Sequence, residues 1–583
     1  MKIVKVRIDN YRNLDKVEMY FNPDMNFLIG ENDLGKSNLL DMFDVVFNRR
    51  RFSEEDFFNN SNLIKIEFSL LLSDAEKGNF EDYFDPIDNN LVNIIAKQEA
   101  PDEDLKYFHK ESEEEIHYSK LRCVNFLKYD SLRTPQEELT FYRRRGVGKF
   151  LSYLVNRVVT VDNKQDDFIK KESINPILVY INEIFKKMRL IKDFMISASI
   201  EKEITDLVFR ILTIKDSQGI EIQKTGHGVQ FSILIMLHIL ERLMQIIEDK
   251  RRQECLFTAN GEKTISLILG MDEPEIHLHP YMQRSLMNFV SSFLQNKEVL
   301  FSSLVKELFD IDKFDGQTII VSHSPNILLN NYKYIARFYK EESKIKVTSG
   351  SQLQLTPEIE KHLLKNFSYI KEAFFSRCVI IVEGDTEYGA LPLWAEKIIG
   401  NLDDLGITVI HGGGANSIPP IANLLNKLKL SNVRIVDRDV YESSRIKYDS
   451  IPKLFVTDKR DFEEELVENL FTGGKDKILF ELVDEHDTIG LKKRIQKSKL
   501  KDIAEKYGIT ITWDDNDYAF NEILEVNDKE NLKKAMFLSW LDINKSIILG
   551  RLIGEKVDLD YIPKKYKETI EQAKVIVIGI WNQ

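Results

Sequence analysis

The chain has 583 residues and a formal net charge of −13, with 43% hydrophobic and 30% charged residues. That composition excludes a disordered or collagenous chain, and at roughly 150 residues per domain it predicts three or four structural units. Cys123, Cys255 and Cys378 are widely spaced and suggest neither a metal-ligand pattern nor a disulfide framework. The N-terminus lacks the apolar core of a signal peptide, and the richest apolar run, 231–240, is about half of what a bilayer requires. The expectation is a cytoplasmic protein with no membrane partner.

Residues 1–8 alternate apolar and polar, as an edge or half-buried strand would. A second strand, 26–29, runs into Gly30-Glu31-Asn32-Asp33-Leu34-Gly35-Lys36-Ser37. Leu39, Met42, Phe43, Val46 and Phe47 then recur at the spacing of one buried helix face. Residues 61–73 read as a strand, 99–115 as an acid-rich solvated insertion, and about 165–212 as a helical arm or dimerisation insertion. A long apolar helix follows Gly226, then strands at 265–271 and 318–321. Thr348-Ser349-Gly350-Ser351 is the linker candidate, dividing the chain into 1–356 and 357–583. Beyond it Pro357 opens a helix and 378–382 a strand. Strands and helices alternate to Val456, as in a mainly parallel sheet, before a helical C-terminal part.

Gly30 to Ser37 matches G-x-x-x-x-G-K-S between a strand and a helix. Glycines let backbone N–H groups wrap phosphates, and the helix N-terminus adds a favourable dipole. Lys36 then reaches the β/γ oxygens and is expected to be exposed when the site is empty, while Ser37 holds Mg²⁺. Two further strand ends carry matching chemistry. The strand at 265–271 ends at Asp272, a candidate anchor for the magnesium shell, and at Glu273, a candidate general base on water. The strand at 318–321 ends at Ser322-His323, which places His323 as a γ-phosphate contact.

This set resembles the ABC-type ATPases of the branch shared by RecF, Rad50 and the structural-maintenance proteins. Gly226-His227-Gly228-Val229-Gln230 resembles their signature, although it departs from L-S-G-G-Q. In that branch Gly226, Gly228 and Gln230 would cap nucleotide held by another subunit, which implies ATP and a homo-oligomer, dimer or tetramer. Asp272-Glu273-Pro274-Glu275-Ile276-His277-Leu278-His279-Pro280 is similar to the D/E-E-P-E-x-x-L-H-P of the OLD nucleases. On that match His277 and His279 belong to a nucleotide-site element rather than to a metal pair. Asn32 and Gly35 complete the phosphate cradle.

Downstream, the strand at 379–382 ends at Glu383-Gly384-Asp385-Thr386-Glu387, and 434–436 ends at Asp437-Arg438-Asp439. Two strands delivering carboxylates to one sheet edge suit hard divalent cations, Mg²⁺ or Mn²⁺. The pair resembles the Toprim domain. Within the OLD branch, Arg460-Asp461-Phe462-Glu463-Glu464-Glu465-Leu466 resembles a later acidic motif, with Glu463 as ligand and the register among the three glutamates open. Asn544-Lys545-Ser546 resembles a helix start whose lysine steadies the scissile phosphate, Ser546 standing where the family has proline.

The resemblance implies an α/β chain: an ABC-type P-loop ATPase domain with a helical insertion, then a C-terminal Toprim domain. It implies an ATP-binding, metal-dependent DNA endonuclease serving as an anti-phage effector. Relatives, which include the Gabija nuclease subunit and retron-associated effectors, work with a helicase-like partner or with a reverse transcriptase and its RNA–DNA product. The alternative is a DNA-repair or scaffold ATPase with a non-cleaving Toprim-like domain. Three basic strips are candidates to hold DNA: Arg49-Arg50-Arg51, Arg143-Arg144-Arg145, and Lys492-Lys493-Arg494 continuing through Lys497, Lys499 and Lys501. Each also reads as an ordinary solvated helix face.

Overall fold

The computed structural model describes residues 1–130, 138–139, 147–161, 171–188, 196–200, 212–249, 254–276, 278–449, 452–487, 490–513, 517–523 and 529–581. His277 and the strip at Arg143–Arg145 lie outside them. The chain divides into two compact units, Met1–Leu353 and Gln354–Gln583.

The first unit is built on two large sheets. One is antiparallel, in the order β2 (Val17–Tyr20), β1 (Lys2–Asp9), β4 (Ile64–Leu71), β5 (Leu91–Gln98), β6 (Lys106–His109). Strand β1 is therefore an interior strand rather than an edge. Part of the expected acidic insertion at 99–115 is β6, paired with β5. The second sheet runs β10 (Leu256–Ala259), β11 (Glu262–Asp272), β12 (Lys313–Val321), β3 (Met25–Ile29), β13 (Ile335–Glu341), β14 (Lys344–Ser349), and β7 (Phe126–Tyr129) also pairs with β11. Gln317, fully buried, stitches the sheets together: its side chain accepts from Ile3 N at 2.9 Å and donates to Ile3 O at 2.8 Å. A buried amide satisfied this way costs little and fixes register.

The helices of this unit cover the second sheet: α1 (Lys36–Asp44), α2 (His227–Glu248) and α3 (Pro280–Leu294). Helix α2 contains the stretch Gly228–Glu248, which is long and apolar enough to cross a membrane, yet 83% of its apolar window is buried inside the unit. The apolar run is thus longer than the sequence reading made it. The expected helical arm is also mixed. Ser197–Ile200 (β8) pairs antiparallel with Leu212–Lys215 (β9), beside a helix at Lys171–Lys186. Thr348 and Ser349 belong to β14 and are no linker, since Ser349 Oγ accepts from Tyr20 N at 3.2 Å. Cys123 and Cys255, 132 residues apart and buried, form a disulfide that the spacing in sequence does not suggest.

The second unit carries a four-stranded parallel sheet, β16 (Ile407–His411), β15 (Cys378–Val382), β17 (Ser431–Val436), β18 (Leu454–Val456). Its helices include α4 (Asp385–Ile399), α5 (Phe462–Thr472), α6 (Lys497–Lys506), α7 (Glu530–Ile543), α8 (Ile547–Lys556) and α9 (Lys564–Trp581). Trp394, Phe462 and Tyr566 pack ring against ring, with centroids 5.4–5.9 Å apart. That aromatic knot locks α4, α5 and α9 over the sheet and sets the rotation of α5.

Candidate functional site

The three motif strands of the first unit lie side by side and end level. Asp272 opposes Val321, and Val321 opposes Leu28, all in parallel register. From β3 the chain turns through Gly30 and Gly35, at φ 141° and 76°, into α1. A Cβ at Gly30 would lie 2.5 Å from Phe338 O, and one at Gly35 would lie 2.5 Å from Asn13 Oδ1. Only glycine fits either position.

Lys36 is not exposed. Only 5% of it is accessible, and its Nζ donates to Gly30 O at 3.0 Å and to Glu31 O at 2.6 Å. The side chain folds onto its own loop because those carbonyls replace the water it leaves. Burial pushes its ammonium down to about 8, against the pull of Glu273 and Asp272. Ser37 Oγ donates to Asp272 Oδ1 at 2.9 Å, so the two expected magnesium-shell residues already touch. Burial raises Asp272 above the ordinary carboxylate range, opposed by that hydrogen bond. Asn32 lies exposed on the loop.

Glu273 stands at φ 45°, an uncommon backbone for a residue with a side chain, and its N–H is held by Val321 O at 3.0 Å. Its carboxylate is 3.3 Å from His323 Nε2. Burial and Lys36 lower the imidazole's pKa, with Glu273 opposing. Sequence reasoning gave Glu275 no role, yet its Oε1 accepts from Ser322 Oγ at 2.8 Å and His323 N at 2.7 Å, tying the two strand ends together. Lys128 and Asp130 were also missed. They sit at the end of β7, Lys128 Nζ pairs with both Asp41 and Asp130 at 2.5 Å, and both residues act on Asp272.

The signature residues make their contacts elsewhere. Gln230 Nε2 donates to Thr225 O at 2.9 Å and Gln223 O at 3.1 Å within its own turn, and Gly228 O accepts from Ser232 Oγ. Gly226 caps α2 with nothing within 4 Å of where a Cβ would be.

In the second unit, adjacent parallel strands β15 and β17 end at Glu383 and Asp437, and Asp437 N donates to Glu383 Oε2 at 3.4 Å. Glu387, one turn into α4, and Glu463, on α5, are both buried and act on the same group. Burial, then Glu387, Glu383 and Glu463, hold Asp437 well above the carboxylate range, and its buried Oδ1 has no hydrogen-bond partner among the described residues. Burial and Glu463 push Glu387 up to about 8. Burial also raises Glu383, with Asp437 N–H opposing. Asp439 lies 3.4 Å from the Arg460 guanidinium.

Helix geometry resolves the three glutamates. Glu463 points to the cluster and accepts from Lys545 Nζ at 2.9 Å. Glu464 turns back to cap, accepting from Arg460 N, and Glu465 accepts from Asp458 N and Lys459 N in a separate loop. Burial works against the Lys545 charge, but Glu463 lifts its pKa above the ordinary value. Ser546, in place of proline, caps α8 by accepting from Leu549 N at 3.2 Å. Helix α8 reaches α4 through glycines: a Cβ on Gly550 would meet Thr386 O at 2.1 Å, and one on Gly389 would meet Ile547 O at 2.3 Å. Among the described residues no three acidic or histidine side chains close around a common metal-binding point as they stand. The donor set is nonetheless that of a hard-cation site: buried carboxylates with Lys545 on Glu463 and Arg460 beside Asp439.

Residues 25–330 match the family model described as "AAA domain, putative AbiEii toxin, Type IV TA system". Residues 374–439 match "Overcoming lysogenization defect protein-like, TOPRIM domain". The Old nuclease of Escherichia phage P2 is 20% identical over 528 residues, 81% of this chain and 81% of its own. Endonuclease GajA of Bacillus cereus (strain HuB5-5) is 22% identical over 442 residues, 68% of this chain and 59% of its own. A solved structure, the C-terminal region of the Xanthomonas campestris pv. campestris OLD protein, is 21% identical and covers 36% of this chain and 98% of its own, with a TM-score of 0.26. The chain belongs, over more than half of its length, to that AAA-domain family and carries an OLD-like Toprim domain behind it, and its similarity to the Old nuclease along most of both chains makes it an ATPase-linked nuclease.

Proposed function

We propose that the protein is an ATP-binding, divalent-metal-dependent DNA endonuclease, an anti-phage effector whose cutting is governed by its ATPase half or by a partner. One observation carries the reading: Glu383 and Asp437 end adjacent strands in a buried cluster with Glu387 and Glu463, whose mutual repulsion and burial hold these carboxyls above their ordinary range. Glu383, Glu387, Asp437, Asp439 and Glu463 would hold Mg²⁺ or Mn²⁺. Such ions, when bound, generate hydroxide from water and stabilise the leaving 3′ oxygen of a phosphodiester. Lys545 neutralises Glu463 and is the cation available to the scissile phosphate.

In the ATPase half, Lys36 and the glycine cradle take the phosphates, and Ser37 with Asp272 takes the nucleotide's magnesium. Glu273, 3.3 Å from His323, is the base for the attacking water. The open surface at Gly226 supports a dimer or higher homo-oligomer, in which the signature of one copy meets the nucleotide of another. A helicase-like partner or a reverse transcriptase with its RNA–DNA product is the class of partner that the family resemblance favours.

The test is cleavage of supercoiled plasmid with Mg²⁺ or Mn²⁺, with and without ATP. The parent should cut, chelation should abolish cutting, and Glu383→Ala and Asp437→Ala should reduce it by orders of magnitude with ATP hydrolysis near normal. Parental cutting by both variants would leave the scaffold reading in its place.

A further inference from the structure

In the first basic strip each arginine is engaged by a neighbouring side chain. Arg49 pairs with Asp44, Arg51 with Asp104, and Arg50 lies over the Tyr118 ring. Arg143–Arg145 lie outside the described residues. The third strip is different. Residues 491–513 carry seven lysines and arginines against two acids, in a chain whose net charge is −13. Lys493 and Arg494 are engaged by Asp487 and Glu522. Lys492, Lys499 and Lys501 are exposed and have no carboxylate partner among the described residues, Lys501 lying 5.9 Å over the Trp513 ring.

This strip is fixed to the acidic centre. Leu500, Ile503 and Ala504 are buried and hold α6 in place, and Lys499 and Lys501, two residues apart, project from the two flanks of that buried stripe. At its C-terminal end Lys506 Nζ stands 3.4 Å from Asp542 and 3.8 Å from Asp461, and the Tyr507 hydroxyl donates to Asp461 Oδ2 at 2.7 Å. Arg460 donates to Lys506 O at 2.9 Å while its Nε faces Asp439 at 3.4 Å. Lys501 and Lys499 precede Lys506 by about 8 and 11 Å along the helix. Phosphates brought to five buried or half-buried carboxylates meet repulsion, and cations at this reach offset it.

We propose that α6 and the turn before it form a phosphate rail, through Lys492, Lys499 and Lys501, that grips duplex DNA beside the acidic centre. The proposal rests on the nuclease reading above. It is tested in the full chain by the triple variant Lys492→Ala/Lys499→Ala/Lys501→Ala and the matching triple to Arg. Binding of a labelled duplex is measured against salt, with Ca²⁺ in place of Mg²⁺. The Ala triple should bind about tenfold more weakly, with the slope of log K against log salt smaller by about 2–3, and the Arg triple should keep both. Cleavage by the Ala triple should fall at limiting DNA and return to within about twofold of parental at saturation. Parental affinity and slope in the Ala triple would overturn the rail while leaving the nuclease reading intact. A parent that neither binds nor cuts duplex would overturn both. Loss of polyglutamate binding with DNA affinity intact would assign the surface to an acidic protein and overturn the rail.

Discussion

Lys545 Nζ stands 2.9 Å from Glu463 Oε2, an ion pair closed across 82 residues of sequence. It fixes which of three consecutive glutamates belongs to the acidic centre. Helical residues project about 100° apart, so Glu464 and Glu465 cannot face the same point. Glu463→Gln should therefore abolish cleavage, while Glu464→Gln leaves it within a few fold. Glu465→Ala should instead cost about 1 kcal/mol of stability, because the N–H groups of Asp458 and Lys459 lose their acceptor. Plasmid cleavage and urea unfolding separate the three. Equal loss of cleavage in Glu463→Gln and Glu464→Gln would refute the assignment.

The ion pair depends on close helix contact. Gly550→Ala puts a methyl within 2.1 Å of Thr386 O and should drive α8 away from α4. We expect a loss of about 1–3 kcal/mol and a large fall in DNA cleavage, with ATP hydrolysis retained. A variant as stable and as active as the parent would show that the contact does not position Lys545.

Glu387 gives the metal-free protein a pH dependence of definite sign. Its carboxyl is raised from 4.5 to about 8, so between those values the folded chain holds a proton that the unfolded chain releases. Stability should fall as pH rises through that window. Mg²⁺ or Mn²⁺ should raise Tm more at pH 8 than at pH 6, and Glu387→Gln should flatten the metal-free profile. Thermal melts at the two pH values decide it; a metal-free protein more stable at pH 8, with no flattening in the variant, would contradict the account.

The buried Lys36 makes a matching prediction for nucleotide. Its pKa, lowered from 10.5 to about 8, leaves roughly half the molecules neutral at pH 8, and phosphate should restore the charge. Calorimetry in buffers of different ionisation enthalpy should show proton uptake on ATP binding at pH 8, less at pH 7, and none attributable to this site in Lys36→Met. Lys36→Met should also lose ATP hydrolysis. Identical proton uptake in parent and variant would remove Lys36 from the role.

Glu273→Gln should bind ATP and fail to turn it over, because the amide keeps the size of the base without its function. Filter binding after a short incubation should recover intact ATP. Failure to bind ATP at all would mean that Glu273 shapes the pocket rather than acting on water.

The sequence by itself determined the strand ends. Gly30 and Gly35 occupy backbone that only glycine tolerates, and Asp272, Glu383 and Asp437 each follow a run of buried apolar residues, so their positions are local consequences of local chemistry. Other features were decided only by tertiary structure. These include the Lys545–Glu463 pair, the bridge of Glu275 to Ser322 and His323, the inward fold of Lys36, and the pairing of Cys123 with Cys255. Thr348 and Ser349 read as a linker because small polar residues favour turns, yet pairing with β13 made them strand. Likewise the pairing of Arg49 and Arg51 with nearby acids, against Lys499 and Lys501 with no carboxylate partner among the described residues, distinguishes one basic strip from another. Backbone conformation and burial periodicity act over a few residues and leave their mark in sequence order. Charge compensation acts over a few ångströms of space, between residues that only the packed chain brings together.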